Sequence, residues 1–213
     1  MTKLHKILLP LLITTTAQAN HNFYLHGAVG AISQHKPSLP EISDDSVYRI
    51  KKTTPAPEIS FGVGYQFSPR TRGEIVFVKP FFNKSRMVLK DERTNEFTDY
   101  AIITPNVNSL QLRGYVDIFD ICDTYKVYLG AGVGASHVKG KLKIDYGNEA
   151  NVYKFKHKYN FAYIFAAGTS FNISKDLKIG LEYNYSYHGK ARDGFYKTPL
   201  RSHGIIAKIR WDL

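Results

Sequence analysis

The final stretch, residues 204–213, constrains the fold of this chain more than any other. Ile205, Ala207, Ile209, Trp211 and Leu213 fall on one side of an extended strand, and Gly204, Ile206, Lys208, Arg210 and Asp212 on the other. Side chains alternate across a strand, so this segment carries one apolar row and one row dominated by charge. A strand of that kind suits a lipid wall with a polar interior. Lipid cannot satisfy backbone N–H and C=O groups, so such a wall must close on itself as a barrel. The remainder of the chain must repeat the pattern for the barrel to exist.

It does, in eight segments. In residues 58–67, Ile59, Phe61, Val63, Tyr65 and Phe67 alternate with Glu58, Ser60, Gly62, Gly64 and Gln66. In residues 109–119, Leu110, Leu112, Gly114, Val116 and Ile118 alternate with Ser109, Gln111, Arg113, Tyr115 and Asp117. In residues 177–187, Leu177, Ile179, Leu181, Tyr183 and Tyr185 alternate with Lys178, Gly180, Glu182, Asn184 and Ser186. Less regular strands are predicted over 23–32, 74–82, 125–135 and 159–171, and the last runs over 202–213. A helix would scatter these apolar residues around its circumference, so the period selects strands.

Connections alternate in length. Short polar turns are predicted at 68–71, 120–124 and 172–176, rich in residues that favour turns. Long connections are predicted over 34–57, 83–106, 139–158 and 188–200. Short turns on one side of a membrane and long loops on the other are the topology of bacterial outer-membrane barrels. A soluble up-and-down barrel would face its polar residues outward, the reverse of this pattern.

The N-terminus supplies a matching address. Lys3 and Lys6 precede the apolar run Ile7 to Ile13, and Thr14 to Ala19 ends in a small-residue cleavage pattern. Residues 1–19 are predicted to be a cleaved signal peptide and 20–213 the barrel domain, with no wall-binding module expected after Leu213. The apolar run falls far short of the ~20 residues of a spanning helix. With 15 Tyr and 13 Phe, the chain is rich in residues that favour strands and membrane interfaces. Its lone cysteine, Cys122, forbids an intramolecular disulfide, so stability is expected from closure of the sheet.

The unit from Leu112 to Phe119, followed by Tyr128 to Gly134 and the Trp211-Asp-Leu213 terminus, resembles the small outer-membrane β-barrel family. That family includes the transmembrane domain of outer membrane protein A and compact bacterial adhesin barrels. The resemblance spans the mature chain and implies an all-β, eight-stranded antiparallel up-and-down transmembrane barrel in the bacterial outer membrane. It also implies surface adhesion as the activity. This chain ends on Leu213 with its aromatic two positions earlier, whereas the family commonly ends on Phe or Trp.

Three constellations could carry chemistry. Gly130, Gly132 and Gly134 imitate a dinucleotide loop, but they alternate within a strand and no helix follows to receive a phosphate. They are read instead as space for large lumen neighbours. Histidines form no metal-ligand spacing, and no cofactor is expected. His137 with Ser136, or His203 with Ser202, could suggest a lipid hydrolase, yet adjacent residues point to opposite faces. Catalysis is therefore not expected.

Charge is the more informative signal. Glu58, Glu74, Arg113, Asp117, Lys178, Glu182, Lys208 and Arg210, together with Lys126, are predicted to face the lumen. An eight-stranded barrel is just wide enough for side chains to fill, so these charges are expected to pair as a plug. A narrow ion pore is the alternative. Net charge is +11, and cations gather in the third long connection: Lys139, Lys141 and Lys143, then Lys154 and Lys156 beside Tyr153 and Phe155. The fourth adds Lys190, Arg192 and Lys197 beside Tyr196.

Cations steer acidic partners and aromatics add contact area, so these two loops are the expected ligand surface. The predicted function is adhesion to a host surface, serum or matrix protein. The alternatives are a structural barrel without a specific ligand, a small pore, or a lipid-modifying enzyme. Outer-membrane lipid and lipopolysaccharide are expected partners, as is the assembly machinery through the C-terminal strand. Export argues against nucleic acid.

Overall fold

The computed structural model describes residues 22–35, 48–50, 54–90, 97–121, 124–145, 150–154, 158–192 and 197–213. The proposed signal peptide and Cys122 lie outside them. Every regular element among the described residues is a strand: β1 (Phe23–Gln34), β2 (Tyr48–Ile50), β3 (Ala56–Ser68), β4 (Thr71–Pro80), β5 (Ser85–Lys90), β6 (Phe97–Ile121), β7 (Tyr125–Asp145), β8 (Ala150–Lys154), β9 (Lys158–Asn172), β10 (Leu177–Arg192) and β11 (Lys197–Asp212).

Eight of these form the closed wall. Sheet order runs β6-β4-β3-β1-β11-β10-β9-β7, and β6 pairs with β7 to complete the ring. The terminal strands meet antiparallel, with Leu25 opposite Trp211 and Ile32 opposite Gly204. Because the ring has no edge, every strand's backbone has partners on both sides. The three short strands ride above the wall: β5 pairs with the start of β6, β2 with β5, and β8 with the end of β7.

The outer surface is apolar for the physical reason foreseen in the sequence. Leu112 (60% exposed), Phe161 (62%) and Leu181 (56%) face outward on three different strands, where lipid rather than water covers them. Rings cluster at the two ends of this band. Phe23 with Tyr65 and Tyr125 with Phe171 lie near the tight turns. At the far end, His137 stacks on Tyr159 at 4.8 Å and Tyr163 on Tyr187 at 5.0 Å. Amphipathic rings at both boundaries of an apolar band are the girdles of a membrane barrel.

The long connections differ from expectation. Residues 83–106 contain β5 and the beginning of β6, and residues 139–158 are largely the end of β7 and β8. Strands β6 and β7 remain paired from Ile121 opposite Tyr125 up to Ala101 opposite Ile144. The fourth connection also shortens, since β10 reaches Arg192 and β11 begins at Lys197. The reason is solvent. Above the lipid both faces of a strand are wet, so the apolar–polar alternation vanishes while the backbone still pairs.

Inside, large and small residues interlock. Tyr24, Tyr115 and Tyr128 are almost fully buried in the lumen. A Cβ on Gly64 would overlap the Tyr24 ring, and one on Gly130 the Tyr115 ring. These glycines therefore make room for the tyrosines. Gly189 serves differently: at φ 89° it sits in a bulge of β10 between Tyr187 and Lys190, a backbone conformation costly for other residues.

Candidate functional site

The lumen divides into two halves. Near the tight turns it is charged. Arg72 Nη1 donates to Asp117 Oδ1 at 2.5 Å, and Lys126 Nζ lies 3.3 Å from Asp117 Oδ2. Lys208 Nζ donates to both Glu74 oxygens at 2.7 Å, and His26 Nε2 lies 3.1 Å from Glu74 Oε2. Lys178 Nζ is 2.7 Å and Arg210 Nε 2.5 Å from the Asp212 carboxylate. Tyrosines frame this network: Tyr24 donates to Glu74 at 2.9 Å, and Tyr128 to Glu182 at 3.2 Å. Arg72 lies 4.4 Å from the Tyr128 ring centroid, and Arg210 3.6 Å from that of Tyr24.

The other half is mostly apolar and neutral. Ile32, Val78, Val107, Val138, Ile164 and Leu200 are buried on the inner face, at 2% exposure or less. Among them lie Ser109, whose Oγ is 3.1 Å from His188 Nδ1, and Ser136, which donates to the His188 carbonyl. The Phe82 ring packs edge-on against His188 at 5.6 Å. Ser109 and His188 are sealed from solvent and lipid alike, so this contact offers a substrate no access.

The charged residues singled out in the sequence separate into groups. Glu74, Asp117, Lys178, Lys208 and Arg210 join the lower network. Arg113 Nη1 stands 3.9 Å from Glu182 Oε1, a looser pair beside it. Glu58 is buried higher up, and its Oε2 makes no hydrogen bond among the described residues. Sequence reasoning missed the apolar closure above. Val107, Val138 and Leu200 lie in segments whose alternation had already faded, so their inward direction left no trace in the pattern.

On the outside, Lys139, Lys141 and Lys143 are strand residues of β7 rather than loop residues. They continue the outward row of Val133, Ala135 and His137 past the upper girdle, since Ser136 and Val138 are buried. With a rise of ~3.3 Å per residue and a strand tilt of ~40°, each residue gains ~2.5 Å of height. Lys139 thus stands ~5 Å and Lys143 ~15 Å above His137. Lys79, outward on β4, bonds Asn106 Oδ1, and Asn106 is the β6 partner of Lys139. Two ammoniums therefore flank one asparagine and repel each other.

Lys190 is exposed near the bulge of β10. Tyr153 and Lys154 belong to β8, Arg192 to β10 and Lys197 to β11, but their side chains lie outside the described residues. Phe155, Lys156 and Tyr196 lie wholly outside them. The two Ser–His neighbours diverge: Ser136 and Ser202 are buried inside, whereas His137 and His203 join the outer girdle. The His35 ring sits 5.1 Å from His203, extending that girdle. Its signal in the sequence was slight, because histidine one or two steps beyond an apolar row is common in any strand.

A closed antiparallel ring with a lipid-compatible exterior, two aromatic girdles and long strands on one side is a bacterial outer-membrane barrel. The chain belongs to the outer membrane protein beta-barrel domain family, whose model matches residues 7–205. A Rickettsia prowazekii protein with the provisional name of adhesin is 30% identical over 208 residues, covering 91% of this chain and 89% of the relative. A Rickettsia conorii protein, also provisionally named an adhesin, is 34% identical over 123 residues, 51% of this chain and 49% of that one. Among solved structures, Neisserial surface protein A shares the fold at a TM-score of 0.57 and 16% identity, covering 90% of this chain and 97% of its own.

Proposed function

We propose that this protein is a surface adhesin whose raised β6–β7 ribbon binds an acidic host or matrix protein. The observation that carries the reading is the continued pairing of β6 with β7 beyond the upper girdle, with Lys139, Lys141 and Lys143 in one outward row. A paired ribbon holds its cations at fixed spacing, so little conformational entropy is lost on binding. Cations on such a platform steer an acidic partner and raise its rate of encounter. The relatives' provisional naming as adhesins is consistent with this role.

Height divides the labour. Lys139 and Lys79, near the girdle, stand where lipopolysaccharide phosphates lie, while Lys141 and Lys143 rise clear of them. The first pair anchors the barrel among anionic headgroups and the second meets the partner. In the lumen, the ion pairs and the apolar half are read as a plug that closes the bore.

The test is a pull-down of host surface and serum proteins with the barrel in nanodiscs. Lys141→Glu with Lys143→Glu should reduce capture at least tenfold and leave insertion intact. Lys79→Glu with Lys139→Glu should weaken lipopolysaccharide association instead. Unchanged capture by a correctly inserted Lys141→Glu, Lys143→Glu barrel would remove the ribbon as the contact surface.

A further inference from the structure

We propose that the lower lumen is a binding site for a small soluble oxyanion of the phosphate type, entered from the tight-turn side. A recess of about 320 Å³ opens there, between the turn residue Pro69 and the strand ends at Asn172 and Asp212. Above it the lumen narrows into Tyr115, Tyr128 and the buried aliphatic residues of the opposite half. The wall separates the recess from lipid, so its occupant arrives through periplasmic water.

Charge identifies the occupant. Five cations, Arg72, Lys126, Lys178, Lys208 and Arg210, line the recess against three carboxylates. Glu74 serves Lys208, but Asp117 is shared by Arg72 and Lys126, and Asp212 by Lys178 and Arg210. Each shared carboxylate neutralises one cation of its two. Asp120, 3.6 Å from Lys126 Nζ, does not alter the balance, because it also lies 4.0 Å from Arg70 at the rim. Two positive charges remain in a recess walled by protein. Excess charge in such surroundings is costly, and a dianion would relieve it.

The donors are also preset for an oxyanion. Arg72 and Arg210 are each held by a carboxylate on one side and a tyrosine face on the other. A guanidinium presents its N–H groups as a planar fork that matches phosphate oxygens, and a fork already fixed loses little entropy in binding. The volume lies at the small end of ligand pockets, which suits inorganic phosphate or a short phosphomonoester. The Arg72–Asp117 and Arg210–Asp212 pairs belong equally to the plug proposed above. The phosphate site does not depend on adhesion, and it could fail without affecting that reading.

The experiment uses the folded barrel in phosphatidylcholine nanodiscs, which contain no anionic lipid. Inorganic phosphate is titrated by calorimetry at low ionic strength, with sodium chloride at matched ionic strength as reference. One phosphate should bind per barrel, and Lys126→Gln with Lys178→Gln should weaken it at least tenfold. Both lysines are partly exposed near the mouth, so the variant should retain the heat-modifiable gel shift of a folded barrel. Lys175→Gln, in the turn outside the recess, should bind as the wild type does. If the double variant fails to fold, Lys126→Gln alone is titrated in the same way, and a loss of phosphate affinity of at least threefold supports the site. Heats no greater than with chloride, or equal affinity in the folded double variant, would overturn it.

Discussion

The two halves of the lumen solve one problem by opposite means. Both lie inside the same ring and must fill the same narrow bore. The half near the tight turns lines it with ion pairs braced by tyrosines around a recess, and the far half fills it with Ile32, Val78, Val107, Val138 and Leu200 around a few neutral polar groups and the buried Glu58. Ion pairs tolerate a wet mouth and can exchange partners with a mobile ion, whereas close-packed aliphatic side chains exclude water. The contrast predicts a barrier to permeation at the extracellular end and exchangeable charge at the periplasmic end.

The strongest way to break that contrast is to place a charge in the aliphatic half. Val107→Asp would bury an unpaired carboxylate, and the barrel should lose its folded, heat-modifiable form on gels. Breaking a pair in the charged half ranks next. Glu74→Gln leaves Lys208 without its carboxylate, and removing one partner of a buried pair costs about 3–5 kcal/mol. Urea unfolding in detergent should show a loss of that size. Glu74→Met with Lys208→Met should recover most of it, since replacing both partners by apolar groups is often neutral.

A smaller change in stability should bring a change in conductance. Val107→Ser, Val138→Ser and Leu200→Ser together should let the barrel pass small ions in planar bilayers, while Lys178→Gln should leave it closed. Conductance appearing in the second variant alone would move the barrier to the charged half. The least effect is expected at the rim. Asp120→Asn removes a partner of exposed Arg70 at 4.0 Å, and exposed pairs contribute about 0–1 kcal/mol. The unfolding midpoint should barely move.

The barrel was legible because lipid and lumen impose opposite chemistries on alternate residues. Wherever both act, as along Glu58 to Phe67 or Leu177 to Tyr187, strand and facing could be read directly. Where water covers both faces the code lapses, and Lys139 to Lys143 then read as loop although their backbone pairs with β6. The lumen charges were visible as inward residues, but their partners were not. Lys208 meets Glu74 across 134 positions of sequence, a proximity that only closure of the ring creates.

The eight-row alternation therefore set the strands, their facing and their membrane address, because period two is a local property of the chain. Which cation shares which carboxylate, why two charges remain in the lower recess, and how far β6 and β7 rise together were decided by closure. Those outcomes depend on strand register and on residues far apart in sequence. The last strand shows both halves of the lesson. Its outward Ile205, Ile209 and Trp211 announced a lipid wall, while the partners of Lys208 and Arg210 emerged only when β11 closed against β1 and β10.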